Sequence, residues 1–369
     1  MGAFGLLGLS VLCPLLALPL YYCQRKISGN KGVHEVRALS LPSLLEIIIP
    51  AHNEAEHIGD TLSSIERSVQ YLQIGPWTRL LPKITIRVGA DGCTDNTAKI
   101  ARQFSTVSVT ESLENRSKWA MLKTLLADSS ADWVILVDAG TVWPENWLYD
   151  FLRAMEAEPR AVGIAPSYYP LKSGWVAPII WRVEAALKHL ESFCGGPVSL
   201  HGATVGYNTA SLKKALITLG DRQWLNDDIV IPLVLRALNP DSVIVYPVGQ
   251  VQDTGALHDQ LDFGRRKRML MGNLQWTSAL LPRCFRMNPV AGIVAVRRLF
   301  RILWAYWLTC IAAGLALAFH VVVLPAIAGF GILVALSGTF RQLAGAALVS
   351  LLTPFQLARS DGPLARSWK

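Results

Sequence analysis

Leu45-Glu46-Ile47-Ile48-Ile49, followed by Pro50-Ala51-His52-Asn53-Glu54, is the stretch on which the fold of this chain turns. The first five residues form a nearly continuous apolar run, the pattern of a parallel strand buried on both faces. The next five are a polar loop. Beyond it Ile58, Leu62, Ile65, Val69 and Leu72 recur at spacings of four and three, which marks one face of a helix. The pattern then returns. Ile84, Ile86 and Val88 alternate as a strand that runs into Asp91-Gly92, and Trp133-Val134-Ile135-Leu136-Val137 is a further apolar strand ending at Asp138. Strands alternating with helices predict an α/β fold with a mainly parallel, doubly wound, Rossmann-like sheet. Such sheets bind ligands at the carboxyl ends of their strands. Here those ends carry Pro50 to Glu54, Asp91 and Asp138, so three polar clusters share one edge.

The flanks read differently. The chain has 369 residues, 51% of them hydrophobic, and a mean hydropathy of +0.33, which is high for a soluble protein. Ala3 to Cys23 is almost uniformly apolar and about long enough to cross a bilayer. Its basic residues follow the apolar run, which favours a retained anchor with its C-terminal side in the cytoplasm over a cleaved signal peptide. Ile302 to Ser337 is too long for one crossing, and His320 and Pro325 near its middle predict a helical hairpin. Leu343 to Leu357 fits a third crossing, a re-entrant segment or an interfacial helix equally. The expected organisation is an N-terminal anchor over 1–25 and an α/β domain over 40–258. A basic amphipathic interfacial segment over 259–301 then leads to two or three transmembrane helices over 302–357.

The net charge of +8 raises nucleic acid as a partner. The basic clusters argue otherwise, because Gln24-Arg25-Lys26, Arg265-Arg266-Lys267-Arg268 and Arg297-Arg298 with Arg301 all flank apolar segments. That placement fits membrane topology and an acidic lipid surface. The six cysteines form no C-x-x-C pair, so neither a zinc site nor a disulfide framework is indicated. No G-x-G-x-x-G follows the first strand and no G-x-x-x-x-G-K-[ST] occurs, which weakens dinucleotide and P-loop readings of the sheet.

Pro50-Ala51-His52-Asn53-Glu54, Asp91-Gly92-Cys93-Thr94-Asp95-Asn96-Thr97, Asp138-Ala139-Gly140-Thr141 and Asn226-Asp227-Asp228 occur in an order that resembles family-2 glycosyltransferases. These are GT-A fold enzymes that include cellulose, chitin and hyaluronan synthases and ceramide glucosyltransferase. The likeness covers about Glu46 to Gln275. It implies a cytosolic GT-A domain that takes sugar from a nucleotide-diphosphate donor, UDP first and GDP second, with inversion. By the same resemblance Pro50, Ala51 and Glu54 surround the base and ribose, Asp91 contacts the uracil, and Lys118 lies near the diphosphate. Asp138 would hold Mg²⁺ or Mn²⁺, and Asp228 would be the general base with Asp227 in support. Arg265 and Arg268 match the family's (Gln/Arg)-x-x-Arg-Trp element and would neutralise the leaving diphosphate.

Each assignment has a structural rival. Asn53, Glu54 or Asp95 can cap a helix, and Asp227 and Asp228 open an apolar stretch, read as a helix over 229–238 with Pro232 in its first turn. The basic run at 265–268 equally suits lipid headgroups. Two departures stand out. Gly140 replaces the second carboxylate of the usual Asp-x-Asp, which weakens the expected metal site, and Met269 replaces the tryptophan. Gly202 to Tyr207 sits where relatives shape the acceptor pocket. Trp143, Trp147, Trp175 and Trp181 are expected to pack rather than bind.

The resemblance implies a lipid or glycan acceptor, and the small number of crossings favours a lipid taken from an inner or plasma membrane. A processive polysaccharide synthase, completed by oligomerisation or partner subunits, is the alternative. A non-catalytic nucleotide-sugar-binding subunit is the reading from another class, motivated by Gly140 and Met269 and opposed by Asp228. A nucleotidyltransferase is disfavoured because a glycine-rich, basic phosphate loop is absent after the first strand.

Overall fold

The computed structural model describes residues 41–74, 81–170, 176–253 and 263–302, with scattered residues between 305 and 352. Its first half is a succession of strand–helix units. β1 (Leu44–Ala51) leads to α1 (Ile58–Ile74), and β2 (Lys83–Asp91) to α2 (Thr97–Ala101). β3 (Val107–Ser112), α3 (Lys118–Ala127) and β4 (Trp133–Val137) follow. The second half starts with β5 (Thr141–Val142), α4 (Trp147–Ala157), β6 (Ala161–Ile164) and β7 (Ser167–Pro170). It continues through α5 (Val176–Ser192), β8 (Thr204–Asn208), α6 (Thr209–Leu219) and α7 (Asp227–Leu238). β9 (Val243–Val245) and β10 (Gln250–Asp253) precede the helices α8 (Phe263–Ala279), α9 (Leu281–Met287) and α10 (Pro289–Ile302).

Among the described residues the main sheet runs β3-β2-β1-β4-β8-β6-β9, and a small sheet pairs β5-β10-β7. β1 occupies an interior position with both faces covered, which is why its sequence is a solid apolar run. Leu45, Ile47 and Ile49 pack towards α1 and α4, against Leu62, Ile65 and Trp147. Ile48 points the other way, into the cluster that holds Trp119, Leu122 and Leu125 of α3. Each such fully buried aliphatic side chain contributes about 1.5–3 kcal/mol. Trp143 and Trp147 are core residues as expected, with ring centroids 4.3 Å apart. Trp175 and Trp181 lie outside the residues whose side chains are described.

The parallel expectation holds for β3, β2, β1 and β4. It fails at β8, which runs antiparallel to both β4 and β6. The reversal matters for the site. With Val137 opposite Thr204, the loop that enters β8 arrives at the edge where β4 ends, and the Asp138 N–H donates to the Ala203 carbonyl at 3.0 Å.

Pro232 is not in the first turn of its helix. The Asn226 carbonyl accepts from the N–H groups of Ile229 and Val230, so α7 starts at Asp227 and Pro232 falls in the second turn. Among the described residues no helix is long and apolar enough to cross a membrane. The expected anchor over 1–25 lies outside the described residues, as does most of 302–357. The basic segment over 259–301 forms α8, α9 and α10 from residue 263 onward. Within it Arg298 does not face outward, because it is buried and its Nη1 pairs with Glu184 Oε1 at 2.7 Å.

Candidate active site

The loops after β1 and β2 are woven together by bonds between side chains and backbone. Asn53 adopts a left-handed conformation, φ 54°, and its Oδ1 accepts from the Thr94 N–H at 2.8 Å. His52 Nδ1 lies 2.6 Å from the Asp91 carbonyl. A carbonyl only accepts, so Nδ1 carries the proton and Nε2 is left to accept from Asn115 Nδ2 at 3.2 Å. The Glu54 N–H donates to Thr97 Oγ1 at 2.8 Å, and its carbonyl starts α1 by accepting from His57 and Ile58. Asp95 accepts from the Ala55 N–H and the Thr97 N–H, each at 3.0 Å, so it ties the two loops together, while the N-cap position of α2 falls to Asn96. Burial pushes the Asp95 carboxyl up, but the bonds from Thr97 and Ala55 outweigh it and hold the group below the usual range.

Three predicted nucleotide-binding residues sit deeper than the sequence suggested. Pro50 and Ala51 are the last two residues of β1, both buried, and they shape the strand end through their backbone. Asp91 is fully buried, and its two carboxylate oxygens lie 3.1 and 3.0 Å from the Arg116 N–H that donates to them. In this arrangement Asp91 serves the 115–118 loop rather than presenting a surface. Gly92 is obligatory beside it. Its φ is 61°, and a Cβ there would stand 2.3 Å from the Asn115 nitrogen.

That loop delivers Lys118 to the start of α3, where Ser117 Oγ caps the helix by accepting from the Ala120 N–H at 3.4 Å. Lys118 Nζ lies 2.7 Å from Asp138 Oδ1 and 3.0 Å from Asp227 Oδ2. Burial alone would depress its pKa; the two carboxylates overcome that and hold it well above the ordinary lysine range. Lys118, Asp138 and Asp227, taken from three separate motifs, are therefore one ionic unit.

Asp138 follows β4, and its carbonyl accepts from the Thr141 N–H at 3.1 Å to close a tight turn. Gly140 inside that turn has φ 95°, and its N–H donates to Thr61 Oγ1 of α1 at 2.9 Å. A side chain there would be strained, so the missing second carboxylate goes with the conformation of the turn. Gly202 forms the floor opposite. A Cβ on it would stand 3.3 Å from Asp138 Oδ2, 3.8 Å from Asp228 Cβ and 3.9 Å from Lys118 Nζ. One small volume thus touches all three residues.

Asp227 and Asp228 occupy the first turn of α7, where the helix dipole favours negative charge. Burial, and then the charge of Asp227, push the Asp228 carboxyl up to about 6. Arg298, Lys118 and Lys188 pull the other way. Asn226 is a residue whose role the sequence did not disclose. Its Nδ2 donates to the Met269 carbonyl at 3.2 Å and to Asn273 Oδ1 at 3.1 Å, which clips α8 onto the head of α7. Gly272 makes room, since a Cβ there would lie 2.4 Å from Asn226 Oδ1. Arg265 and Arg268 are carried on this clipped helix, and the Met269 side chain is about half exposed. Behind Asp228 the sequence also missed a buried group on α5. Lys188 is 3% exposed, and burial, then Arg298, lower its pKa to about 8.

A mainly parallel α/β sheet interrupted by one antiparallel strand, whose entering loop brings Gly202 to the edge where β4 ends, is the GT-A fold. Residues 46–211 match Glycosyl transferase family 2. The fold is also that of a mannosyltransferase from Pyrobaculum calidifontis solved in complex with GDP-Man and Mn²⁺. That structure is 19% identical, with a TM-score of 0.67 over 98% of this chain and 99% of that one. Glucosyl-3-phosphoglycerate synthase from Mycobacterium tuberculosis, in complex with phosphoglyceric acid, aligns at 18% identity. Its TM-score is 0.42 over 62% of this chain and 78% of that one. No curated protein matches the chain at a significant level.

Proposed function

We propose that this chain is an inverting glycosyltransferase that moves a sugar from a nucleotide-diphosphate donor to a lipid hydroxyl at the cytoplasmic face of a membrane. The observation that carries the reading is the point above Gly202, within 3.9 Å of Lys118 Nζ, Asp138 Oδ2 and Asp228 Cβ. A sugar placed there has a cation and a carboxylate beside its diphosphate and a second carboxylate for the acceptor. Asp228 takes the proton of the acceptor hydroxyl. The oxygen then forms its bond to the anomeric carbon as the bond to the diphosphate oxygen breaks on the opposite face. Lys118 takes up charge developing on the departing diphosphate, and Arg268 on α8 assists.

The reading implies Mg²⁺ or Mn²⁺, and the residues fit such an ion. Asp138 is 42% exposed at its side chain, and its Oδ2 borders the volume left open by Gly202. Magnesium and manganese accept sites of one or two carboxylates completed by phosphate oxygens, so Asp138 would hold the ion together with the donor itself. When bound, the ion supplies positive charge to the diphosphate. Among the described residues no group of three or more His, Cys, Asp or Glu side chains is placed to hold it without the donor.

Support for a membrane setting comes from the apolar segments at both ends and from α9, which exposes Phe285 and Met287 beside Arg283 and Arg286. The GDP-Man and Mn²⁺ complex of the Pyrobaculum protein makes GDP-mannose a donor to test beside the UDP-sugars. The test is transfer by detergent-solubilised full chain, offered UDP- and GDP-sugars with membrane lipid extract, with and without Mn²⁺. The expected result is nucleotide release with a glycosylated lipid, reduced about 10³-fold in Asp228→Asn. Donor binding without turnover across the panel would overturn the catalytic reading in favour of a nucleotide-sugar-binding partner subunit. A polymeric product would favour the processive synthase.

A further inference from the structure

Proline is strongly disfavoured inside a helix, because it has no N–H for the carbonyl four residues back and its ring crowds that carbonyl. α7 nevertheless contains Pro232, and the carbonyl it deprives is that of Asp228. This carbonyl is taken from outside the helix: the Leu200 N–H donates to it at 2.8 Å. Leu200 is buried, and two residues later comes Gly202, the floor between Asp138, Asp228 and Lys118. The far end of α7 grips the same segment. Arg236 Nη1 and Nη2 donate to the carbonyls of Gly196 at 2.8 Å and Cys194 at 2.6 Å. The chain from Cys194 to Ala203 thus hangs on the base helix at two places, and the one nearer the site uses the acceptor left over at Pro232.

We infer that Pro232 is a positioning residue: by freeing the Asp228 carbonyl, it lets Leu200 lock the Gly202 floor to the residue that deprotonates the acceptor. The inference rests on the reading of Asp228 as the base. Any other residue at 232 brings an N–H that competes for the same carbonyl. The turn then rewinds to regular helix, and the floor loses its tie to the base.

Pro232→Ala in the detergent-solubilised full chain tests this with readouts that part company. The Leu200 amide should exchange with solvent deuterium about tenfold faster or more, because its acceptor is contested. The melting temperature should hold or rise, since alanine is the best helix former and proline the worst. At the same time kcat should fall about ten- to a hundredfold with the donor KM nearly unchanged, because donor loops are intact and only the relation of base to floor has moved. A merely structural proline gives the reverse pattern, a lower melting temperature with full activity per folded molecule. Unchanged protection of Leu200 in the variant overturns the proposal. Should the chain transfer no sugar at all, the exchange measurement still decides whether Pro232 holds the loop, separately from the glycosyltransferase reading.

Discussion

The two sides of the carboxyl edge are held by different forces. On the side of β1 and β2, Asn53, Asp91 and Asp95 each accept from a backbone N–H of a neighbouring loop. On the side of β4, β8 and α7, Lys118, Asp138 and Asp227 meet charge to charge, with Asp228 next in line. Hydrogen bonds to backbone fix geometry before any ligand arrives. Opposed charges are an arrangement that an incoming anion can redraw, since it would compete with Asp138 and Asp227 for the Lys118 ammonium. The first side is fixed by its own bonds and the second is open to rearrangement by charge.

Substitutions can break that contrast. The largest effect is expected for Lys118→Met, which removes the cation shared by Asp138 and Asp227. Steady-state kinetics should show kcat/KM falling about 10²–10³-fold, the loss typical of a donor aimed at developing negative charge. A change under about threefold would mean that the ionic unit is scaffold. Gly202→Ala comes next, because its methyl would sit 3.3 Å from Asp138 Oδ2, in the volume assigned to the sugar. Activity should drop about tenfold with thermal stability little changed, as the new atom meets substrate rather than core. Asp91→Asn should behave in the opposite sense. One of its two acceptors for the Arg116 N–H becomes a buried donor, so the fold should lose about 1–3 kcal/mol, read by thermal or chemical unfolding. Its effect on kcat should be the smallest of the three. If Asp91→Asn instead abolished donor binding without destabilising the protein, the carboxylate would belong to the nucleotide and not to the loop.

How much of this was legible in the sequence differs by element. β4 was read residue for residue, Trp133 to Val137, because a short apolar run between polar ends has few other meanings. α1 was legible from the spacing of its apolar face. The direction of β8 was not, since Thr204 to Asn208 pairs the same way in sequence whichever way the strand runs. Asp138, Asp227 and Lys118 were found as separate motifs, but their meeting at one ammonium is a tertiary fact. Arg298 shows the limit most plainly. In sequence it belongs to a basic run beside an apolar segment, yet its partner Glu184 lies 114 positions away, on α5. A basic run looks the same whether it is solvated or paired. Pro232 was misplaced by one turn because the head of α7 is set by the Asn226 carbonyl, which has no sequence signature.

The central claim is that Asp228 is the base, and its titration tests that most directly. Burial and Asp227 push the carboxyl up to about 6, and a base works only when ionised. The pH dependence of kcat/KM, measured from about pH 5 to 8, should rise through a limb centred near 6 and level off above it. Below the limb it should fall about tenfold per pH unit. A profile flat across that range, with activity retained by Asp228→Asn, would contradict the account and move the base elsewhere.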